Sequence, residues 1–355
     1  MLRRLDWGLL AALGVLAGAS LLGLGAGNLP FFFRQLTWFG IAFPVIIIGS
    51  VIDWKWLGSR GWFREGFYWI SVLLLAISLI QPETIRGTKS WIVIGGFQFE
   101  PIEMMKVALI LLFAHFFSRR HIAAWQGKNI LLSLLYAGIP IGIALLHPDL
   151  GAALVIGMLW ACFLVAGGIN GKRFAAGAML ALVIATLGWF FVLKPYQKDR
   201  LVSFMFPERD PLGISYNVIQ SKIAIGSAGW FGKGFGRGTQ SQLHFLPEAH
   251  TDFFFAAFTE EWGMLGALGI LLTFLFILFR LASIGSRARD NYSRLIVLGT
   301  GCLLVFHFLV NVGSNVGILP VTGIPFPFLS YGGSSVLTIA ILIGIIEHIK
   351  LESSR

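Results

Sequence analysis

The sequence predicts an all-α polytopic membrane protein with about ten transmembrane helices and one long extracytoplasmic loop. Three observations predict it. Of the 355 residues, 56% are hydrophobic and only 12% charged, with a mean hydropathy of +0.80, which is more apolar surface than one water-soluble core can bury. The apolar residues recur in separate windows, most of them long enough to cross a hydrocarbon layer about 30 Å thick. The formal net charge of +10 is spread through the short gaps between those windows rather than gathered in one patch or tail, which fits the positive-inside pattern and speaks against nucleic acid as a partner.

The first window runs from Trp7 to about Gly27, behind a basic start, Leu2-Arg3-Arg4, that imitates a secretory signal. At roughly 20 residues it exceeds the h-region of such a signal, and similar segments follow, so it reads as a retained helix. Further windows cover 36–52, 67–80, 102–117, 130–146, 149–167, 174–193, 254–280, 294–316 and 329–348. Those at 67–80 and 102–117 are short for a span and are expected to extend into their flanks.

Ten spans put both termini on one side. With the termini inside, sixteen of the 27 Lys and Arg residues fall on inner segments, against Arg34, Arg86, Lys89 and Lys106 beside short outer ones. Seven more lie in the 194–253 segment, too long for the rule to apply, so the asymmetry predicts cytoplasmic termini. A connection of that length inside a compact protein is usually functional. Cys162 and Cys302 both fall in apolar windows, which leaves no disulfide framework and no CxxC site. With no internal repeat, residues 1–355 read as a single membrane domain.

Several polar groups stand out against this apolar background. Asp252 lies where the polar run Pro247-Glu248-Ala249-His250-Thr251 meets Phe253-Phe254-Phe255. Its position alone favours an N-cap, satisfying free amides of the following helix. The alternative is a partly desolvated general base, and position cannot separate the two. Glu103 and Lys106 are three residues apart at the start of the fourth window, hence on one helix face. They form either an interfacial ion pair or, since ionisable groups in a span are functional by default, an anion-binding cation and its orienting partner. Asp149, in His147-Pro148-Asp149-Leu150-Gly151, is explained by turn and cap chemistry. Gly232-Lys233-Gly234-Phe235-Gly236-Arg237-Gly238 lacks the flanking strand and Gly-Lys-Ser/Thr of a nucleotide loop, but its amides and cations suit a phosphate weakly. The run from Leu319 to Ser335, with Pro320, Pro325 and Pro327, implies non-helical backbone buried in protein or lining a cavity. His244 and His250 read as polar loop residues rather than metal ligands.

Taken together these residues resemble the SEDS family (shape, elongation, division and sporulation) of peptidoglycan polymerases over nearly the whole chain. The marks are Gly87-Thr88-Lys89-Ser90-Trp91-Ile92, Pro101-x-Glu103-x-x-Lys106, Pro148-Asp149-Leu150-Gly151, Tyr196-Gln197-x-x-Arg200 and Asp210-Pro211-Leu212-Gly213. They continue through Ala224-Ile225-Gly226-Ser227, the run from Pro247 to Phe253, Glu260-Glu261-x-Gly263 and Ser330-Tyr331-Gly332-Gly333-Ser334-Ser335. The stretch Gly238 to Glu248 is more similar to the rod-shape elongation branch than to the division branch. Where the family usually has Gln-Pro-Ser-Glu, this chain has Glu100-Pro101-Ile102-Glu103, so no role carries over for the Gln or Ser.

The resemblance implies an enzyme of the cytoplasmic membrane that polymerises lipid II, a disaccharide-peptide on undecaprenyl diphosphate, into glycan strands for cell-wall elongation and cell shape. The donor is α-linked and the product β-1,4, so one inverting displacement suffices. The family's essential aspartate corresponds to Asp252, which is expected to be the catalytic base. Lys106 and Arg200 are expected to bind the diphosphate, with Glu103 orienting Lys106, Arg237 a weaker candidate and Asp149 a structural support. No residue cluster demands a metal, although Mg or Mn on the diphosphate is compatible with the scheme. The implied partners are lipid II, a class B penicillin-binding protein transpeptidase and other elongation-complex membrane proteins. The rival readings are a lipid-linked precursor flippase, which needs polar groups reachable from both faces, and a non-enzymatic scaffold, which leaves Asp252 without a task.

Overall fold

The structure is a computed structural model that describes residues 4–81, 90–94, 97–119, 127–172 and 215–353, with isolated positions between 175 and 213. Its helices are α1 (Trp7–Gly27), α2 (Leu29–Val51), α3 (Trp54–Ser59), α4 (Gly61–Ser78), α5 (Pro101–Arg119), α6 (Gly127–Leu146), α7 (Leu150–Ala166), α8 (Tyr216–Ser227), α9 (Thr239–Gln242), α10 (Phe254–Arg287), α11 (Asn291–Asn315) and α12 (Gly333–Ser353). A small antiparallel hairpin, β1 (Ile92–Ile94) and β2 (Phe97–Phe99), leads into α5. Neither the hairpin nor α3 was expected, since both are too short to show a periodicity.

Among the described residues seven helices are long and apolar enough to cross a membrane: α1, α2, α5, α6, α10, α11 and α12. α4 and the shorter α7 occupy two more of the expected windows. The window at 174–193 lies largely outside the described residues. Caps explain the boundaries that moved. α2 starts at Leu29 rather than 36 because Asn28 Oδ1 accepts the Phe31 amide and Pro30 occupies the first turn. Asp6 and Asp53 begin α1 and α3 in the same way.

α5 is apolar on every face between Val107 and Ala114 and buried along nearly its whole length, which makes it the central post of the bundle. α10 instead leaves Leu268, Leu272, Leu275 and Phe279 exposed, a face suited to lipid. Near its start α10 is broken at Gly263, whose φ of 72° and ψ of −177° a side chain would rarely tolerate. The freed carbonyls of Glu260 and Glu261 accept the amides of Lys233 (2.9 Å) and Gly234 (3.0 Å), and the amides of Met264 and Leu265 donate to Gly229 and Trp230. The break is therefore satisfied by the glycine-rich loop. Two of the loop amides that the sequence offers to a phosphate are thereby engaged inside the protein.

The Pro/Gly-rich stretch between α11 and α12 is non-helical, as expected, and the bundle supplies its hydrogen bonds. Asn311 Nδ2 donates to Ile324 O at 3.0 Å, Ser330 Oγ accepts the Phe326 amide, and Tyr331 donates its amide to His250 O.

Candidate active site

Glu103 and Lys106 project from the first turns of α5, and burial brings them together. Lys106 Nζ lies 2.6 Å from Glu103 Oε1, with both side chains almost fully enclosed. Such a pair survives away from water only because each charge compensates the other. Lys106 Nζ is also 3.4 Å from His307 Nε2 on α11, while Glu103 Oε2 has no hydrogen-bond partner. These groups line a cavity of about 50 Å³, room for a few water molecules, together with Asp149 and residues 322–325.

Asp149 reaches this cavity from the start of α7. Its Oδ1 caps the helix by accepting the Ala152 amide at 2.9 Å, and its Oδ2 accepts from Ser90 Oγ at 3.2 Å. Gly151 follows because a Cβ there would stand 2.5 Å from Thr322 O. The loop can close over α7 only where a side chain is missing.

Asp252 lies beside the 322–325 loop that lines this cavity. Its Oδ2 lies 3.9 Å from the point a Cβ on Gly323 would occupy, and Gly323 lines the same cavity. The cap expected from its position is not made by Asp252. The cap residue of α10 is Phe253, which makes no side-chain cap bond, and the Ala256 amide is taken at 3.0 Å by Asn315 Oδ1 from α11. Asn315 Nδ2 (2.8 Å) and Asn311 Nδ2 (3.1 Å) both donate to the backbone carbonyl of Asp252.

His307, Asn311 and Asn315 are therefore site residues that sequence reasoning missed. Their spacing of four residues in an otherwise apolar span was the available signal. Of the remaining candidates, Arg200 lies outside the described residues. Arg237 is exposed and does not line this cavity, so the structure does not bring it to Lys106. Among the described residues no group of three or more His, Cys, Asp or Glu side chains could hold a metal ion.

A family profile described as "Cell cycle protein", FTSW_RODA_SPOVE, matches residues 3–355. The chain belongs to the FtsW/RodA/SpoVE family. Within it, the chain is 35% identical to the peptidoglycan glycosyltransferase MrdB of Escherichia coli, covering 82% of this chain and 78% of that protein. It is 33% identical to a probable peptidoglycan glycosyltransferase FtsW of Saccharophagus degradans, over 99% and 94% of the two chains. Solved structures of the family agree. A chain described under the structural coordination of polymerization and crosslinking by a peptidoglycan synthase complex superposes with a TM-score of 0.84 at 31% identity, covering 99% of both chains. The rod shape determining protein RodA of Thermus thermophilus gives 0.72 at 27% identity, over 99% and 97%.

Proposed function

We propose that this FtsW/RodA/SpoVE-family chain is a peptidoglycan glycosyltransferase that polymerises lipid II with inversion at the donor sugar. The observation that carries the reading is the Asp252 carboxylate beside the wall of a cavity built around Lys106, with the capping of α10 done by Asn315 instead. In this reading the acceptor hydroxyl attacks the anomeric carbon of the donor while Asp252 takes its proton. The bond from that carbon to the diphosphate breaks, and Lys106 stabilises the charge that develops on the leaving group. Glu103 aims Lys106, Asp149 holds the start of α7 against the loop, and Arg200 contributes a second cation. A divalent ion, Mg or Mn, would be carried by the diphosphate itself.

The enzyme works with its termini in the cytoplasm and the 194–253 segment outside. Labelling of a cysteine introduced near Gly234 from the cytoplasm alone would reverse that orientation. Its partner is a class B penicillin-binding protein that crosslinks the new strands, and co-purification from native membranes tests the pairing. The decisive experiment is polymerisation of purified lipid II by the purified protein and by its Asp252→Asn variant. Strands from the first and none from the second are expected. Equal output from both removes Asp252 as the base, and no output from either removes the polymerase reading.

A further inference from the structure

A second cavity, of about 380 Å³, lies between the C-terminal end of α1, helix α9 and the first turns of α10. Its size falls within the roughly 300–1,000 Å³ usual for ligand sites. Leu24, Phe254, Ala257 and Phe258 give it an apolar side. Its main polar group is Glu261, only 4% exposed. Glu261 Oε1 accepts from Gln242 Nε2 at 3.0 Å and the Gly236 amide also faces the carboxyl group, while the buried Oε2 makes no hydrogen bond of good geometry. A buried carboxylate oxygen without a donor is costly, and that cost is relieved when a ligand supplies one.

The fold holds this arrangement deliberately. Glu260, the neighbouring residue, caps α9 from another helix by accepting the amides of Gln240 (3.1 Å) and Ser241 (3.4 Å), and Lys233 Nζ compensates its charge at 2.6 Å. Gln242 is thereby fixed against Glu261. His244 and Glu248, which line the cavity, have φ values of 58° and 53°, a conformation that non-glycine residues adopt rarely and that clusters at ligand sites.

The cavity is also well placed. Residues 246–250 line it, Asp252 follows two positions later, and the Asp252 carboxylate faces Gly323 on the wall of the Lys106 cavity. Asp252 thus sits on the segment between the cavity that holds Lys106 and one lined, among the described residues, by no Lys or Arg. Without a cation the second cavity disfavours a diphosphate and suits uncharged hydroxyl donors laid against apolar walls.

We propose that this cavity is a sugar subsite holding the acceptor end of the glycan, with a sugar hydroxyl donating to Glu261 Oε2. The assignment rests on the glycosyltransferase reading of Asp252. The test uses the full-length protein and a soluble peptidoglycan disaccharide free of lipid, phosphate and peptide, with binding followed by ligand-observed NMR. Wild-type and Asp252→Asn protein bind it, whereas Glu261→Ala and Ala257→Trp do not. With lipid II as substrate, both cavity variants raise KM about tenfold or more, the scale set by one hydrogen bond to a buried charged acceptor. Ala257→Trp fills the cavity while keeping the Glu261–Gln242 bond, so it decides the matter if Glu261→Ala fails to fold. Wild-type protein that ignores the disaccharide, or cavity variants with unchanged binding and KM, overturn the proposal. A Glu261 effect that vanishes when free amines of the substrate's peptide are acetylated assigns the cavity to an ammonium instead and overturns the sugar. Disaccharide binding lost only in the cavity variants, in a protein that makes no glycan, would leave the subsite standing and remove the polymerase reading.

Discussion

Asn315 Nδ2 donates to the backbone carbonyl of Asp252 at 2.8 Å, while Oδ1 of the same side chain accepts the Ala256 amide at 3.0 Å. One amide on α11 therefore both closes the first turn of α10 and fixes the peptide unit that carries the proposed base. Capping and catalysis, which compete for one aspartate in the sequence, are divided between two residues in space.

Because Asp252 does not cap α10, Asp252→Asn should keep the fold and unfold cooperatively. Its lipid II polymerisation should fall roughly 100-fold to 10,000-fold, the contribution of general base catalysis. Parallel thermal unfolding and glycan-strand assays check both halves of this prediction.

Asn315→Ala should do the reverse in part. It strands the buried Ala256 amide, at about 1–3 kcal/mol, and leaves the Asp252 carbonyl held by Asn311 alone, which loosens Asp252. A lowered unfolding midpoint accompanied by reduced turnover is the expected result; wild-type stability would mean that water replaces the bond.

Lys106→Ala should cost about 3–5 kcal/mol of stability, since it leaves the Glu103 carboxylate buried without its ammonium, and should abolish most turnover. Lys106→Arg need not restore activity, because a planar fork replaces a compact ammonium. Pairing Lys106→Met with Glu103→Gln should recover stability but not polymerisation, which separates the structural role of the pair from its chemical one.

Gly263→Ala should be strongly destabilising. The residue has a positive φ, and an added Cβ would stand 2.3 Å from Trp230 O. The expected cost is about 1–3 kcal/mol for the backbone alone, read as a shift in the thermal midpoint.

His147, in the turn between α6 and α7, offers a pH test. Burial lowers its pKa below the ordinary 6.5, outweighing the nearby Asp149 carboxylate, and its Nε2 lies 3.0 Å from Ser78 Oγ. The folded protein therefore favours the neutral ring. This contribution to stability is full above about pH 6.5 and declines as the pH falls, because the unfolded chain takes up a proton that the folded one resists. Thermal unfolding scanned downward from neutral pH should show that decline, and His147→Gln should flatten it.

The membrane class, most of the spans, the Glu103–Lys106 pair and the cap at Asp149 were legible in the sequence because each is local. A span is a run of apolar residues, Glu-x-x-Lys faces one side of a helix, and an Asp three residues before a free amide can reach it. That another residue takes the first-turn amide of α10 was not legible beside Asp252, because Asn315 lies 63 positions away in sequence. Nor was the fate of the glycine-rich loop, whose amides are consumed by a break in α10 that only the packed bundle reveals. Sequence spacing fixes which groups share a helix face, whereas burial decides which remote group satisfies which. In an apolar interior water is scarce as a substitute partner, so the tertiary structure decides which polar groups are paired.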